Sequence, residues 1–288
     1  MELFLRTEYW DDQKAREGFK VFIKQIHNLD FTAWESAGYW DDCYTPFSFF
    51  KGGQVVSSVC IYLLDAVIHG AHTPIAQISG VGTDPYLRRQ GLNRTLTEQA
   101  LAWAEDKTRN GFFLFADRGA VPYYKALGFY PVTAYVEQVN AFRVKPASGM
   151  VKLDPARPQD LQKIDTYAAN RAPVSDIFSI MNKKLLMFHV LYSFRDHLFE
   201  IPALECLVSI EHKGDTLNVY EIIGARIPTF EELYPYITST RESVVTFHFH
   251  TDKLGVKKAV PTPVASSNGF AKGPFPFERP VFPFTSHA

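Results

Sequence analysis

Thirteen consecutive residues carry the chemistry most readily read from this chain. Val81-Gly82-Thr83-Asp84-Pro85-Tyr86-Leu87-Arg88-Arg89-Gln90-Gly91-Leu92-Asn93 leaves a strand-like run, passes through a doubly basic turn and enters a helical pattern. The first N–H groups of a helix have no partners within it, and the helix dipole is positive at that end. A loop of this kind therefore suits an anion such as a pyrophosphate. Gly91 puts no Cβ between phosphate oxygens and the main chain, and Arg88 and Arg89 add local positive charge. An Arg-x-x-Gly turn on its own reads as a solvated basic turn, so the elements around it decide its meaning.

Other candidates carry less. His248 and His250 alternate along a strand pattern and face the same way, with Asp252 next, but a third and fourth ligand are lacking and no metal is expected. Cys43, Cys60 and Cys206 are odd in number and far apart, which fits a reducing compartment, hence the cytoplasm, and Cys43 and Cys60 read as small buried side chains rather than nucleophiles. The segment holding Tyr39, Trp40, Asp41 and Asp42 has two readings: core aromatics with helix-capping acids, or contacts that draw in a cationic substrate.

The elements that would position these residues follow from periodicity. Ala15, Phe19, Phe22, Ile23 and Ile26 mark one face of a helix over residues 11 to 28. Lys51-Gly52-Gly53 separates two strands, and a further strand, IAQISGVGT, must stop at Asp84-Pro85. From Leu92 the positions Leu92, Leu96, Ala100, Trp103 and Ala104 define a second amphipathic helix. Phe112 to Ala116 reads as a buried strand, and VPYYKALGF as a short helix closed by Gly128. A proline- and glycine-containing stretch near residue 148 marks a boundary. Beyond it the pattern predicts a helix from Leu161 capped by Asp160, a long helix from Ser175 to about His197, and a hairpin about Lys213-Gly214. A short helix in PTFEELYPYI with proline in its first turn, a strand in SVVTFHFH, and an extended Phe- and Pro-rich tail packed on the body complete it.

With these elements in place, residues 88 to 93 resemble the R-x-x-G-x-G/A pyrophosphate loop of the GNAT acetyltransferase superfamily, Arg88 and Gly91 matching and Asn93 departing from the last position. The segment from Ala120 to Phe129 is similar to the family's A-x-x-x-Y-x-x-x-G-F segment, and the two motifs occur in the family's order. The resemblance covers residues 3 to 140. It implies an α/β (α+β) GNAT fold, with a mixed central sheet flanked by helices and acetyl-CoA in a cleft between splayed parallel strands. By the same resemblance, Val81, Gly82 and Thr83 would offer main-chain groups to the pantetheine and thioester, and Arg88, Arg89, Gln90, Gly91, Leu92 and Asn93 would hold the pyrophosphate. Asp117, where many members carry asparagine, and Ala120 would flank the pantetheine arm, and Tyr124 would protonate the departing thiolate. The strand offers Gln77 and Ser79 but no glutamate to serve as base. A second, weaker likeness begins at VKLDPARPQDLQKI, without the loop. The chain is therefore expected to hold a catalytic GNAT domain over 1–147 and a degenerate GNAT-like domain over 148–288.

Composition is consistent with this. In 288 residues, 46% hydrophobic and 21% charged, there is enough apolar material for two packed units. Thirty basic against 31 acidic side chains give a net charge of -1, which leaves no general field for nucleic acid or an anionic membrane, and neither is expected as a partner. No export signal or membrane-length apolar run is read. The expected activity is acyl-CoA-dependent N-acyl transfer, moving the acetyl group of acetyl-CoA to a primary amine of a small molecule or protein. The alternative is a non-catalytic acetyl-CoA-binding regulatory module.

Overall fold

The computed structural model describes residues 2–40 and 42–287. The chain opens with strand β1 (Leu3–Thr7) and helix α1 (Gln13–His27), whose first turn is capped by the Asp12 carboxylate accepting from the Ala15 N–H at 3.0 Å. Its predicted apolar stripe is buried through Ala15, Phe19, Phe22 and Ile23. A short helix α2 (Thr32–Ser36) leads to the hairpin β2 (Tyr44–Lys51) and β3 (Gln54–Ile68), then β4 (Ala71–Thr83) and helix α3 (Leu92–Ala104). Next come β5 (Phe112–Phe115), α4 (Val121–Ala126), β6 (Tyr130–Val132) and β7 (Tyr135–Asn140).

The second half repeats the order: β8 (Val151–Lys152), α5 (Pro158–Ala169), β9 (Phe178–Ile180), α6 (Lys183–Leu191), β10 (Leu198–Ile201), β11 (Cys206–Lys213), β12 (Thr216–Ile223), α7 (Phe230–Ile237), β13 (Val244–Phe247), β14 (Val260–Pro263) and β15 (Gly269–Lys272). Three predicted details change. Residues 175 to 182 are not helical, because Phe178–Ile180 pairs with Ala66–Ile68 of β3 and only 183–191 forms the helix. The helix expected from Leu161 begins at Pro158, and the Asp160 carboxylate accepts from the Asp154 N–H at 3.0 Å. In α7 the proline preceding the cap, Pro228, lies outside the first turn, and Pro235 lies inside the helix.

Two mixed sheets result. The first runs β1-β2-β3-β4-β5-β15-β6, with β9 added beside β3, and the second runs β14-β7-β13-β12-β11-β10-β8. Read from the other edge, the second has the order of the first, and each contains one parallel pair, β4 with β5 and β12 with β13. The seventh strands are exchanged. β7, from before residue 148, lies between β13 and β14, while β15, from the tail, lies between β5 and β6. The tail is thus a strand of the first sheet as well as a packed segment.

The first sheet is buried on both faces, which is why β3 alternates poorly and is almost continuously apolar. On one face α1 and α2 supply Phe19, Phe22, Ile23 and Trp34 against Tyr44, Tyr62 and Phe113. On the other, Leu96, Ala100 and Ala104 of α3 and Tyr124 of α4 pack on Ile61, Ile78 and Leu114. Among the described residues no helix is long and apolar enough to cross a membrane.

Candidate active site

The parallel pair of the first sheet is short. β4 and β5 are registered only at Ala76↔Phe112 and Gln77↔Phe113. Beyond that point β5 keeps its backbone bonds by pairing with β15, as far as Phe115↔Gly269, and Ala116 N–H donates to the Asn268 carbonyl at 2.9 Å. β4 turns the other way: its register with β3 slips between Ser58 and Cys60, so that Ser79 and Gly82 flank an extra residue, and Gly80 sits at φ +56°. Such a bulge bends the strand and frees main-chain groups from the ladder. Only glycine fits, since a Cβ at Gly80 would lie 2.8 Å from the Tyr44 hydroxyl and 2.9 Å from Cys60 Sγ.

The opening between the two strands is a cavity of about 1000 Å³ that passes from the α1 face to the α3 face. At its α3 side stands an unusual helix start. The N-cap is Gly91 at φ +79°, no side chain caps it, and a Cβ there would meet nothing within 4 Å. The first donors of α3 therefore face open space, with Arg88, Arg89 and Arg94 exposed around them. Arg88 Nε donates to the Thr83 carbonyl at 3.3 Å, which holds the turn against the end of β4. Open donors, a positive helix end and free room suit an anion such as a diphosphate.

Asn93 explains its own departure from the motif. Its amide Nδ2 donates to the Gly82 carbonyl at 3.1 Å and to the Ser58 carbonyl at 3.4 Å, while its Oδ1 accepts from the Tyr123 hydroxyl at 3.0 Å. One side chain thus ties β3, β4, α3 and α4 together behind the loop. The same bonds separate the two adjacent tyrosines. Tyr123 is committed to Asn93 and to Thr97, the latter at 2.7 Å. Tyr124 lines the cavity with its ring buried against Phe129 and Phe270, and its hydroxyl takes no partner among the described residues. Burial, followed by the neighbouring Tyr123 and Asp117, raises its pKa, so it keeps its proton throughout the neutral range.

Of the residues expected to bind the cofactor, Val81, Gly82, Thr83, Arg88, Arg89, Gly91, Leu92, Asn93, Asp117 and Ala120 line this cavity together with Tyr124. Gln90 is in the same turn, exposed, and is not among the lining residues. The aromatic–acid segment lies elsewhere. The Tyr39 hydroxyl donates to Asp165 at 2.8 Å, Trp40 packs among Trp10, Phe31 and Trp34, and Asp42 is exposed, its carbonyl accepting from the Thr45 hydroxyl at 2.7 Å. Asp41 falls outside the described residues.

His248 accepts or donates at Asn218 over 3.1 Å, and His250 pairs with Glu137 at 2.9 Å, so both tie the second sheet together. No group of three or more metal-ligating side chains is found among the described residues. Burial pushes the Cys60 thiol up to about 12, which removes it as a nucleophile at neutral pH.

The cavity also contains residues the sequence does not point to. His27 at the end of α1, Tyr44 on β2 and, from the far end of the chain, His287 all line it. Burial lowers the His27 pKa, with Asp117 opposing, so that imidazole is neutral near pH 7. Nothing local marks these positions, since each depends on contacts between distant segments.

A splayed parallel pair, a bulged strand and an uncapped basic helix start meet at one cavity of a mixed α/β domain. Residues 31–132 match the family model described as acetyltransferase (GNAT) domain. The whole fold is similar to that of a probable N-acyltransferase from Enterococcus faecalis, with TM-score 0.62 and 14% identity over 94% of this chain and 72% of that one. It is also similar to a GCN5-related N-acetyltransferase from Kribbella flavida (TM-score 0.53, 13% identity, 93% of this chain and 71% of that one). A third likeness, to an acetyltransferase described as putative from Pyrococcus horikoshii, has TM-score 0.50 and 15% identity over 98% of this chain and 92% of the other. Likeness of this extent across nearly the whole chain agrees with two GNAT-like units. Among curated proteins no sequence match is found.

Proposed function

We propose that the chain transfers the acetyl group of acetyl-CoA directly to a primary amine of a small molecule or protein. The observation that carries this reading is the juxtaposition, at one cavity, of the uncapped start of α3 with the Tyr124 hydroxyl, whose ring is buried against Phe129 and Phe270. In this reading residues 1–147 supply the cofactor site, and 148–288 form a second unit that holds no cofactor and helps to close the first.

Arg88, Arg89 and the N–H groups from Gly91 onward hold the diphosphate, and the bulged main chain at Gly80 to Thr83 aligns the pantetheine arm and polarises the thioester carbonyl. Asp117 and Ala120 flank the same arm. The cofactor supplies an acetyl group activated as a thioester. The chain's contribution is to orient it, to hold the amine against it and to deliver the Tyr124 proton to sulfur.

Mixing the protein with acetyl-CoA and a panel of amines tests this: thiol release that depends on amine, and is lost in Tyr124→Phe, supports transfer. Binding of CoA without release to any amine supports the second reading, a regulatory acetyl-CoA-binding module. That reading draws on Asn93, whose amide is spent on structural bonds where the motif carries a small residue.

A further inference from the structure

Direct attack by an amine needs an acceptor for its proton, and β4 offers no carboxylate there, only Gln77 and Ser79. Among the described residues Asp117 is the one carboxylate lining the cavity, and the transfer reading places it on the pantetheine arm. His287 lies on the other side. Its ring stacks on Phe115 with centroids 4.0 Å apart and planes 11° from parallel, just past the last registered pair of β4 and β5. Phe113 and Phe115 pack toward α1, whereas Phe112 and Leu114 pack toward Tyr124. His287 therefore stands over the α1 face of the gap and Tyr124 over the α3 face.

The tail is built to hold this ring in place. Phe284 packs at 5.3 Å from His189, 5.2 Å from Phe194 and 5.3 Å from Tyr220. The Thr285 hydroxyl donates to Glu221 at 3.2 Å, and the His287 N–H donates to the Phe284 carbonyl at 3.2 Å. Pro283 to Ser286 are anchored in the second half, and the next residue projects into the cavity of the first. His287 keeps exposed surface and is one of the residues lining the cavity.

We propose that His287 takes the proton of the incoming amine, on the face of the gap opposite Tyr124, and this rests on the transfer reading above. The amine lone pair forms the bond to the thioester carbon while the carbonyl π pair moves to oxygen, and the neutral imidazole removes an N–H proton. The carbonyl re-forms, the C–S bond breaks with its electron pair on sulfur, and Tyr124 protonates that sulfur. The products are an amide and free CoA thiol, and the proton on His287 returns through solvent to the Tyr124 phenolate. Burial, with His248 adding to it, pushes the His287 imidazole down to about 4, so it enters the step neutral. His189 on α6 also lies near it, and His27, Tyr44, Asp117, Tyr123 and Tyr124 are the other titratable groups without a permanent charge that line the same cavity, beside Arg88, Arg89 and Arg94.

The test compares the full chain with His287→Ala, His287→Gln and Asp117→Asn, reading amine-dependent thiol release and, by calorimetry, CoA binding. The proposal predicts turnover lowered about 100-fold or more in both His287 variants, CoA affinity unchanged, and partial recovery of His287→Ala by added imidazole. Turnover equal to the parent, repair by glutamine, failure of imidazole to restore any activity, or loss confined to Asp117→Asn would each overturn it. An unaltered chain that binds CoA but releases no thiol with any amine overturns the transfer reading and this step together. An active parent with active His287 variants overturns this step alone.

Discussion

The two halves contain the same gap and use it differently. In the first sheet β4 and β5 part after two registered pairs and leave a cavity of about 1000 Å³. In the second, β12 and β13 are registered from Thr216↔Val244 to Val219↔Phe247, and β12 runs on to Ile223 paired only with β11. That space is filled from within, as Tyr220 lies 4.5 Å from the His248 ring and 5.3 Å from Phe284. The helix that follows differs as well. α3 begins at an uncapped glycine among arginines, whereas α7 begins with a complete capping box, Thr229 and Glu232, and Arg226 pairs with the Glu232 carboxylate at 2.9 Å. The start of α7 already holds an anion of its own. Sheet order alone therefore does not set the two gaps apart; the first combines an uncapped helix start with an open cavity, and the second a capped start with a filled one.

The largest expected effect separates chemistry from binding within the first gap. Tyr124→Phe should lower thiol release about 100- to 10,000-fold while leaving CoA affinity intact by calorimetry. Equal loss of both would make Tyr124 a packing residue and erase the contrast between the gaps. The exchanged strands come next. Phe282 is buried at 5.3 Å from Phe113 and 5.0 Å from Phe115, so Phe282→Ala should destabilise the fold by about 3–5 kcal/mol in urea unfolding. Both halves should unfold in one transition, because each completes the other's sheet; separate transitions would show that the exchange does not couple them.

The two helix starts supply a matched pair of smaller effects. Gly91→Ala places a Cβ in a left-handed conformation at a cost of about 1–2 kcal/mol, and weaker CoA binding should follow. Thr229→Ala should cost about 1 kcal/mol of stability through the lost cap and leave CoA binding as it was. If the second variant weakens the cofactor, the start of α7 takes part in binding after all.

The smallest effect is a pH slope. Burial holds His189 down to about 3 and His248 down to about 4, against an ordinary value of 6.5. These are depressed folded-state values, so unfolding takes up protons below 6.5, and their contribution is present above that pH and lost as pH falls toward 3. The His287 ring and Arg171 disfavour the charged form of His189 further, while the His287 backbone opposes them. The thermal midpoint should therefore drop between pH 6.5 and 4, and the slope should be shallower in His189→Leu; an unchanged slope would remove His189 as its source.

Local features of this molecule were legible in the residues. The stripe Ala15-Phe19-Phe22-Ile23, the break at Gly52-Gly53, the stop at Asp84-Pro85 and the loop from Arg88 to Asn93 all depend on neighbours a few positions away. Long-range features were not. An added Cβ at Gly111 would strike the Lys272 carbonyl of β15, a strand more than half the chain away, and no neighbouring residue signals that contact. Residues 175 to 182 carry helical spacing, but pairing with β3 outweighs it. Tyr39 and Trp40 have the composition of a binding wall, while the folded chain spends them on Asp165 and on an aromatic cluster. His287 has no signal at all, since its partner Phe115 lies on β5, in the first half of the sequence.

The central claim is that main-chain donors at the start of α3 hold the cofactor's diphosphate. Titration of the intact protein with acetyl-CoA and with free CoA, repeated on Arg88→Ala and Gly91→Ala, tests it most directly. Heat is expected with both ligands in the parent, and weaker binding of both in each variant. No heat in the parent, or unaltered affinity in the two variants, would contradict it.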